Sequence, residues 1–215
     1  MTLRTIAEKA WKDAPQGLST LDGFRVFKTR KMLLVHEAPY VERHFDNYLH
    51  KLVAFPRPEH LGQFASAAES VEAGGENKSN PGAIGELHFR VANSRIYLSF
   101  VQANFKVGKT GLPRNLATLY GGWRENSLRG LFQFAREKNL PVEVRAGDLW
   151  KVHLYDHLAF QSGRLFGWHF KRRFPWVARS PFEGQLKKIA RELNMQVKDN
   201  RLPFIRKLVI TPVQS

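Results

Sequence analysis

The residues between 164 and 191 combine a dense run of cations with aromatic side chains, which is a combination suited to binding polyanions. This stretch holds eight Lys or Arg residues and one acid. Lys and Arg neutralise phosphates, and Arg also forms bidentate contacts with them. Aromatic faces stack on unpaired bases, which contributes about 1–3 kcal/mol per base. We therefore predict a nucleic-acid-binding surface made of Arg164, Trp168, Lys171, Arg172, Arg173, Trp176, Arg179, Lys187, Lys188 and Arg191.

The distribution of charge along the whole chain supports a binding surface in this part of the sequence. The chain has 34 Lys and Arg against 19 Asp and Glu, a net charge of +15. Residues 1–80 carry a net charge of +1 and residues 81–215 a net charge of +14. A field of this kind attracts phosphate backbones and acidic proteins. Further cations are predicted to extend the surface: Lys106, Lys109, Arg114, Arg124 and Arg129.

A purely structural interpretation of the aromatic residues remains open. In a strand, Phe166, Trp168 and Phe170 would all face the same side, as core residues do. The neighbouring cations would then only be solvated.

Other patterns that carry chemistry are incomplete in this sequence. Residues 103–110 are one residue short of a phosphate-binding loop, and the Gly-Leu-Pro at 111–113 breaks the helix that such a loop requires. His153 and His157 lie at i and i+4 on a predicted helix, but no third metal ligand is close in the sequence. No metal-ligand spacing joins the histidines that precede them, His36, His44 and His50. We predict no metal site and no catalytic triad.

The composition excludes several classes of protein. The chain has no cysteine, which rules out disulfides, Cys-ligated zinc, iron–sulfur clusters and a Cys nucleophile. No run of eighteen apolar residues is present, and the first residues lack the apolar segment of a signal peptide. We therefore expect a cytoplasmic protein.

Hydrophobic periodicity predicts the elements that position these residues. In the first part of the chain it predicts a helix over 2–13, strands over 24–29 and 31–37, and a helix from Pro39 to Phe55. Further on it predicts an antiparallel hairpin over 86–92 and 95–105, a helix over 123–138 and a strand over 141–146. The remaining predictions are a helix over 149–160, a strand over 165–176, a capped helix from Ser180 and a final strand over 202–211.

The stretch 56–83 is polar and rich in small residues, which is typical of a mobile loop or linker. It separates an N-terminal helix, hairpin and helix (1–55) from a main basic domain (84–215), and the two parts may also be one domain. The predicted fold class is α+β, with an antiparallel or mixed sheet packed with helices and a C-terminal helix–strand extension from residue 181.

Residues 121–160 resemble the second half of the GNAT acetyltransferase superfamily. The hairpin, helix, strand, helix and final strands follow one another in the order that this fold uses. Leu154–Phe160 is similar to the family's Tyr-x-x-x-Gly-Phe pattern, with Ala159 at the glycine position. The family's pyrophosphate loop has the pattern Gln/Arg-x-x-Gly-x-Gly/Ala. Aligned on Gly122, this chain matches only that glycine, because Leu119 and Arg124 occupy the other two defined positions. The resemblance implies a GNAT-like fold, with Tyr155 as general acid and acetyl-CoA or another acyl-CoA as cofactor.

Taken together, the sequence favours non-catalytic binding of nucleic acid, RNA or single-stranded DNA before duplex DNA, within a larger nucleoprotein complex and without a cofactor. The alternative is a divergent GNAT-like acyltransferase that uses a coenzyme A thioester. A third possibility is a structural subunit whose basic face docks on an acidic protein partner.

Overall fold

The computed structural model describes residues 2–41, 48–72, 80, 82–104, 112–145, 181–202 and 205–213. These residues form nine strands: β1 (Gly17–Leu21), β2 (Phe24–Lys28), β3 (Leu33–Val41), β4 (Tyr48–Phe55), β5 (Gly85–Ala92), β6 (Arg95–Ala103), β7 (Val142–Arg145), β8 (Met195–Leu202) and β9 (Ile205–Pro212). The helices are α1 (Leu3–Asp13), a 3₁₀ turn (Pro58–His60), α2 (Leu61–Glu72), α3 (Arg114–Leu119), α4 (Trp123–Glu137) and α5 (Pro181–Glu192). The predicted α+β class, with a mixed sheet packed with helices, is confirmed.

A single sheet contains all nine strands, in the order β1-β2-β3-β4-β5-β6-β7-β9-β8. Strands β1 to β6 form an antiparallel meander, whereas β7 runs parallel to β6. A parallel pair needs a long crossover connection, and here α3 and α4 lie in it. Strand β9 lies between β7 and β8 and is antiparallel to both. The C-terminal helix and strands, predicted as an extension, therefore complete the main sheet.

The hairpin of β5 and β6 forms as the alternation of its side chains predicts. Asn93 and Ser94 connect the strands with φ of 49° and 54°. Positive φ at both central residues is the geometry of a type I′ turn, whose twist matches that of paired strands. Ala92 and Arg95 close the ladder on either side of the turn.

Helices cover both faces of the sheet, and alternating residues of β2 and β3 reach two different cores. Val26 and Leu33 pack with the buried side chains of α1 on one face. Phe27 and Leu34 pack on the other face with buried residues of α4 and α5. The side of α4 that faces the sheet buries Trp123, Ser127, Leu128, Leu131, Phe132 and Ala135.

The prediction of a helix from Pro39 to Phe55 is wrong, because β3 extends to Val41 and Tyr48–Phe55 is strand β4. From Leu52 to Phe55 every residue is buried. A central strand covered on both faces reads as a continuous apolar run, which periodicity cannot distinguish from a buried helix.

The structure also contains elements that the sequence pattern did not indicate. Residues 61–72, within the stretch predicted as a loop or linker, form α2, and strands on either side of that stretch pair directly as β4 and β5. Strands β1 and β8 and helix α3 were not predicted. The predicted helix over 149–160 and the predicted strand over 165–176 lie outside the described residues. None of the helices in the described ranges is long and apolar enough to cross a membrane.

Candidate nucleic-acid interface

Of the predicted binding residues, the structure describes those on α3, α4 and α5. The others lie outside the described residues: Lys106, Lys109, Arg164, Trp168, Lys171, Arg172, Arg173, Trp176 and Arg179. The same holds for Tyr155 of the acyltransferase alternative and for the histidines at 153 and 157. The described ones are Arg114, Arg124, Arg129, Lys187, Lys188 and Arg191.

Helices α4 and α5 pack beside each other on the same face of the sheet. The apolar sides of both helices, including Leu128 and Leu131 of α4 and Leu186 and Ile189 of α5, belong to one core. Burial of these sides leaves the charged residues of the two helices on neighbouring outer surfaces. Residues far apart in the sequence thereby become neighbours.

The contact between the two helices is made by a charged network of Glu125, Arg129, Lys188 and Glu192. Arg129 donates to Glu125 one turn earlier on α4, at 3.0 Å, and it also donates to Glu192 of α5. The Lys188 ammonium of α5 lies 3.5 Å from the Glu125 carboxylate of α4 and 3.9 Å from the Glu192 carboxylate of its own helix. We call these four residues the α4–α5 network.

The α4–α5 network is electrically neutral but only loosely held. The hydrogen bond from Arg129, together with the nearby Lys188 charge, keeps the pKa of Glu125 below its usual value, so this carboxylate is ionised at neutral pH. The side chain of Lys188 is 61% exposed. Ion pairs of so exposed a side chain contribute about 0–1 kcal/mol, so a phosphate can compete for Lys188 at small cost.

Other cations of the two helices lie around the network. Lys187 is 3.2 Å from Asp199 of β8. Arg191 is exposed and lies at helical spacing from Lys187 and Lys188. Arg124 is half-buried, with its guanidinium 5.6 Å from the ring centre of Trp123.

We call five of the cations on these two helices the α4–α5 basic face: Arg124, Arg129, Lys187, Lys188 and Arg191. Three acids, Glu125, Glu192 and Asp199, lie among them, so this face carries a residual charge of +2. Arg114 is exposed at the start of α3, and among the described residues it has no ion pair with the α4–α5 network.

The β8–β9 hairpin adds cations that sequence reasoning missed. The register pairs Arg201 of β8 with Arg206 of β9. On the same strand as Arg201, Asp199 forms an ion pair with Lys187 of α5. Recognition of β8 as a strand would have revealed this arrangement.

Glu143 of β7 lies on the other face of the sheet and holds two cations in structural ion pairs. Glu143 of β7 is 2% exposed, and it accepts from Lys207 of β9 at 2.6 Å and from Arg95 of β6 at 3.3 Å. These two cations are committed to a buried carboxylate, so we do not include them in the interface.

Within the described part of the chain, no group of three or more His, Asp or Glu side chains is arranged to hold a metal ion. Comparison with known proteins gives no match to a protein-family model, to a curated protein or to a solved structure.

Proposed function

We propose that the protein binds single-stranded nucleic acid, RNA before duplex DNA, without catalysing a reaction on it. The observation that carries the proposal is the α4–α5 basic face, where cations from two distant segments lie on adjacent helices. The net charge of +15 on the whole chain supports it, because such a field draws polyanions to the surface.

The chemistry of the face explains how a phosphate backbone would be held. Each incoming phosphate replaces a carboxylate, that of the half-buried Glu125 or of the exposed Glu192, as the partner of Arg129 or Lys188. The exchange releases condensed counterions from the nucleic acid, and this release is the main source of affinity in such complexes. The aromatic residues predicted to stack on bases, Trp168 and Trp176, would account for a preference for single strands.

Charge reversal on the face tests the proposal. We expect Lys188→Glu/Arg191→Glu to weaken binding of a labelled single-stranded RNA by about tenfold or more, measured by fluorescence anisotropy in low salt. The matched control is Lys12→Glu/Lys31→Glu, which changes the net charge equally. Lys12 is on α1, which packs on the opposite face of the sheet, and both control side chains are exposed.

Equal losses in the two double variants would mean that the affinity reflects net charge alone and would refute the assigned surface. Unchanged affinity in Lys188→Glu/Arg191→Glu would refute it as well. Circular dichroism of both variants shows whether the fold is retained.

A second candidate is the acyltransferase function implied by the resemblance to the GNAT superfamily. Its support is the β6–α4–β7 connection, a hairpin, helix and strand in the order that the resemblance implies, with β7 parallel to β6. Gly122 is the N-cap of α4 and makes no side-chain cap, so backbone N–H groups there are suited to an anion. Glu125 in the first turn of the same helix opposes this, because its carboxylate would repel a pyrophosphate.

Thermal stability in the presence of coenzyme A tests this second candidate. A ligand at 100 times its dissociation constant stabilises a protein by about 2.7 kcal/mol, which gives a clear rise in Tm. An unchanged Tm at millimolar coenzyme A would contradict the acyltransferase function and leave nucleic-acid binding untouched.

A further inference from the structure

Two imidazole rings lie together between the sheet and helix α4. His36 of β3 and His50 of β4 are stacked, with ring centres 5.3 Å apart and an interplanar angle of 15°. Nε2 of His36 and Nδ1 of His50 are 3.1 Å apart, which is a hydrogen-bond distance. One nitrogen must donate and the other accept, so at least one of the two rings must be neutral for the bond to exist.

Aromatic side chains from two other elements enclose the pair. Phe89 of β5 stacks on both rings, with centre-to-centre distances of 5.7 Å to His36 and 5.1 Å to His50. Phe134 of α4 lies 5.3 Å from His36 and 5.9 Å from Phe89. The C-terminal half of α4 therefore rests directly on the histidine pair.

The charges that face the pair oppose its protonation. Arg25 of β2 lies over the Phe134 ring at 5.5 Å and forms an ion pair with Glu137 in the last turn of α4. From β5, the apolar ring of Phe89 stacks on the pair, and strand alternation turns the neighbouring His88 and Arg90 toward the other face. The carboxylate of Glu137 is already engaged by Arg25, so it offers little compensation to a second cation.

Charged residues next to the pair in sequence lie on the other face of the sheet. Glu37 follows His36 on β3, and Lys51 follows His50 on β4, so strand alternation turns both away. Lys51 is 3.8 Å from the carboxylate of Glu86 on that face.

Burial, the neighbouring His50 and Arg25 together lower the pKa of His36 from 6.5 to about 4. Burial also lowers the pKa of His50. Both rings are therefore neutral at pH 7. As the pH falls below 6.5, protonation becomes easier in any state that exposes the rings than in the packed state.

We infer that the His36–His50 pair is an acid-sensitive latch that fastens the C-terminal half of α4 to the sheet at neutral pH and releases it in mild acid. Protonation of both rings turns the facing nitrogens into two donors and places positive charges beside Arg25. Outward movement of α4 removes the Phe134 ring from His36 and admits water, which solvates the charged rings and accepts hydrogen bonds from both nitrogens. The latch does not depend on what the protein binds.

Hydrogen exchange at single-peptide resolution tests the latch in the whole chain. We expect protection factors of peptides covering residues 131–137 to fall by about tenfold or more between pH 7 and pH 4.5. Peptides from α1, on the opposite face, should keep their protection. An equal loss in α1 would indicate general unfolding and refute a local latch, as would unchanged protection in 131–137.

Substitution separates the pair from other titrating groups. In His36→Gln/His50→Gln the protection of residues 131–137 should no longer depend on pH in this range. The control is His60→Gln, which removes a histidine that bonds to Tyr120 outside the latch, and it should keep the wild-type pH response. Loss of the response in the control, or its persistence in the double variant, would overturn the inference.

A second measurement needs no variant. Proton NMR of the imidazole C–H signals should show both latch histidines titrating below pH 6.5. A midpoint at or above 6.5 for either ring would contradict the latch even if the glutamine variants failed to fold.

Discussion

Gly130 of α4 lies against Leu34 and Phe27 of the sheet, and Gly130→Ala tests how closely the helix packs there. A Cβ at this position would lie 2.6 Å from Cδ1 of Leu34 and 3.4 Å from Cδ1 of Phe27. Real Cβ contacts are longer than 2.6 Å, so Leu34 or the helix must shift. Leu34 is fully buried, which leaves it little room to move.

The expected change in the free energy of unfolding of Gly130→Ala is the sum of two opposing effects. Alanine in place of glycine within a helix is favourable by up to about 1 kcal/mol. Overpacking of a close-packed core costs about 1–3 kcal/mol. Gly184→Ala in α5 isolates the first effect, because a Cβ there meets no atom within 4 Å. We therefore expect Gly130→Ala to be less stable than Gly184→Ala by about 1–3 kcal/mol.

Urea denaturation followed by circular dichroism gives the free energies of unfolding of the three proteins. Gly184→Ala should be equal to or more stable than the wild type, and Gly130→Ala should be less stable than both. Equal stabilities of the two variants would refute the close seating of α4 on β2 and β3.

Three further predictions concern the charged and polar groups. Glu125→Gln/Glu192→Gln should tighten RNA binding in the anisotropy assay by about 1 kcal/mol, or roughly fivefold, because it removes carboxylates that compete with phosphate; weaker binding would contradict this. Tyr120→Phe should lower the free energy of unfolding in urea by about 1–3 kcal/mol, because the Tyr120 hydroxyl accepts from the Arg57 N–H at 3.1 Å and bonds to His60 at 2.8 Å. Burial raises the pKa of Glu86, but hydrogen bonds from His88 and Asn80 outweigh burial and lower this pKa to about 2. The ionised Glu86 carboxylate therefore contributes its full stabilisation above about pH 4.5, and this stabilisation is lost as the pH falls toward 2. In acid titrations of stability, the wild type should lose about 3 kcal/mol more than Glu86→Gln does over this range, and equal losses would contradict the assignment.

Elements whose apolar residues recur at a clear spacing were predictable from the sequence. The β5–β6 hairpin alternates and has a suitable turn, and α4 has one apolar side, so both appear where the pattern places them. Strand β4 was mistaken for a helix because its burial on both faces removes the alternation that identifies a half-buried strand. The strand order β7-β9-β8 at the C-terminal end of the sheet could not be predicted, because it depends on the long-range pairing of β9 with β7.

For the candidate site, the sequence identified the cations but not their partners. The ion pairs of Arg129 with Glu192 and of Lys188 with Glu125 exist only because α4 and α5 pack side by side. The contact between His36 and His50 was not predictable either, because it arises from the pairing of β3 with β4. Its two residues lie on adjacent strands, one of which the sequence pattern assigned to a helix.

The salt dependence of RNA binding tests the central claim most directly. The logarithm of the wild-type association constant should fall linearly with the logarithm of salt concentration. In Lys188→Glu/Arg191→Glu the slope should be shallower by about 0.7 for each lost phosphate contact. In Lys12→Glu/Lys31→Glu the slope should stay close to that of the wild type. A wild-type affinity that does not change with salt, or a slope that the α4–α5 substitutions leave unaltered, would contradict binding of nucleic acid by this face.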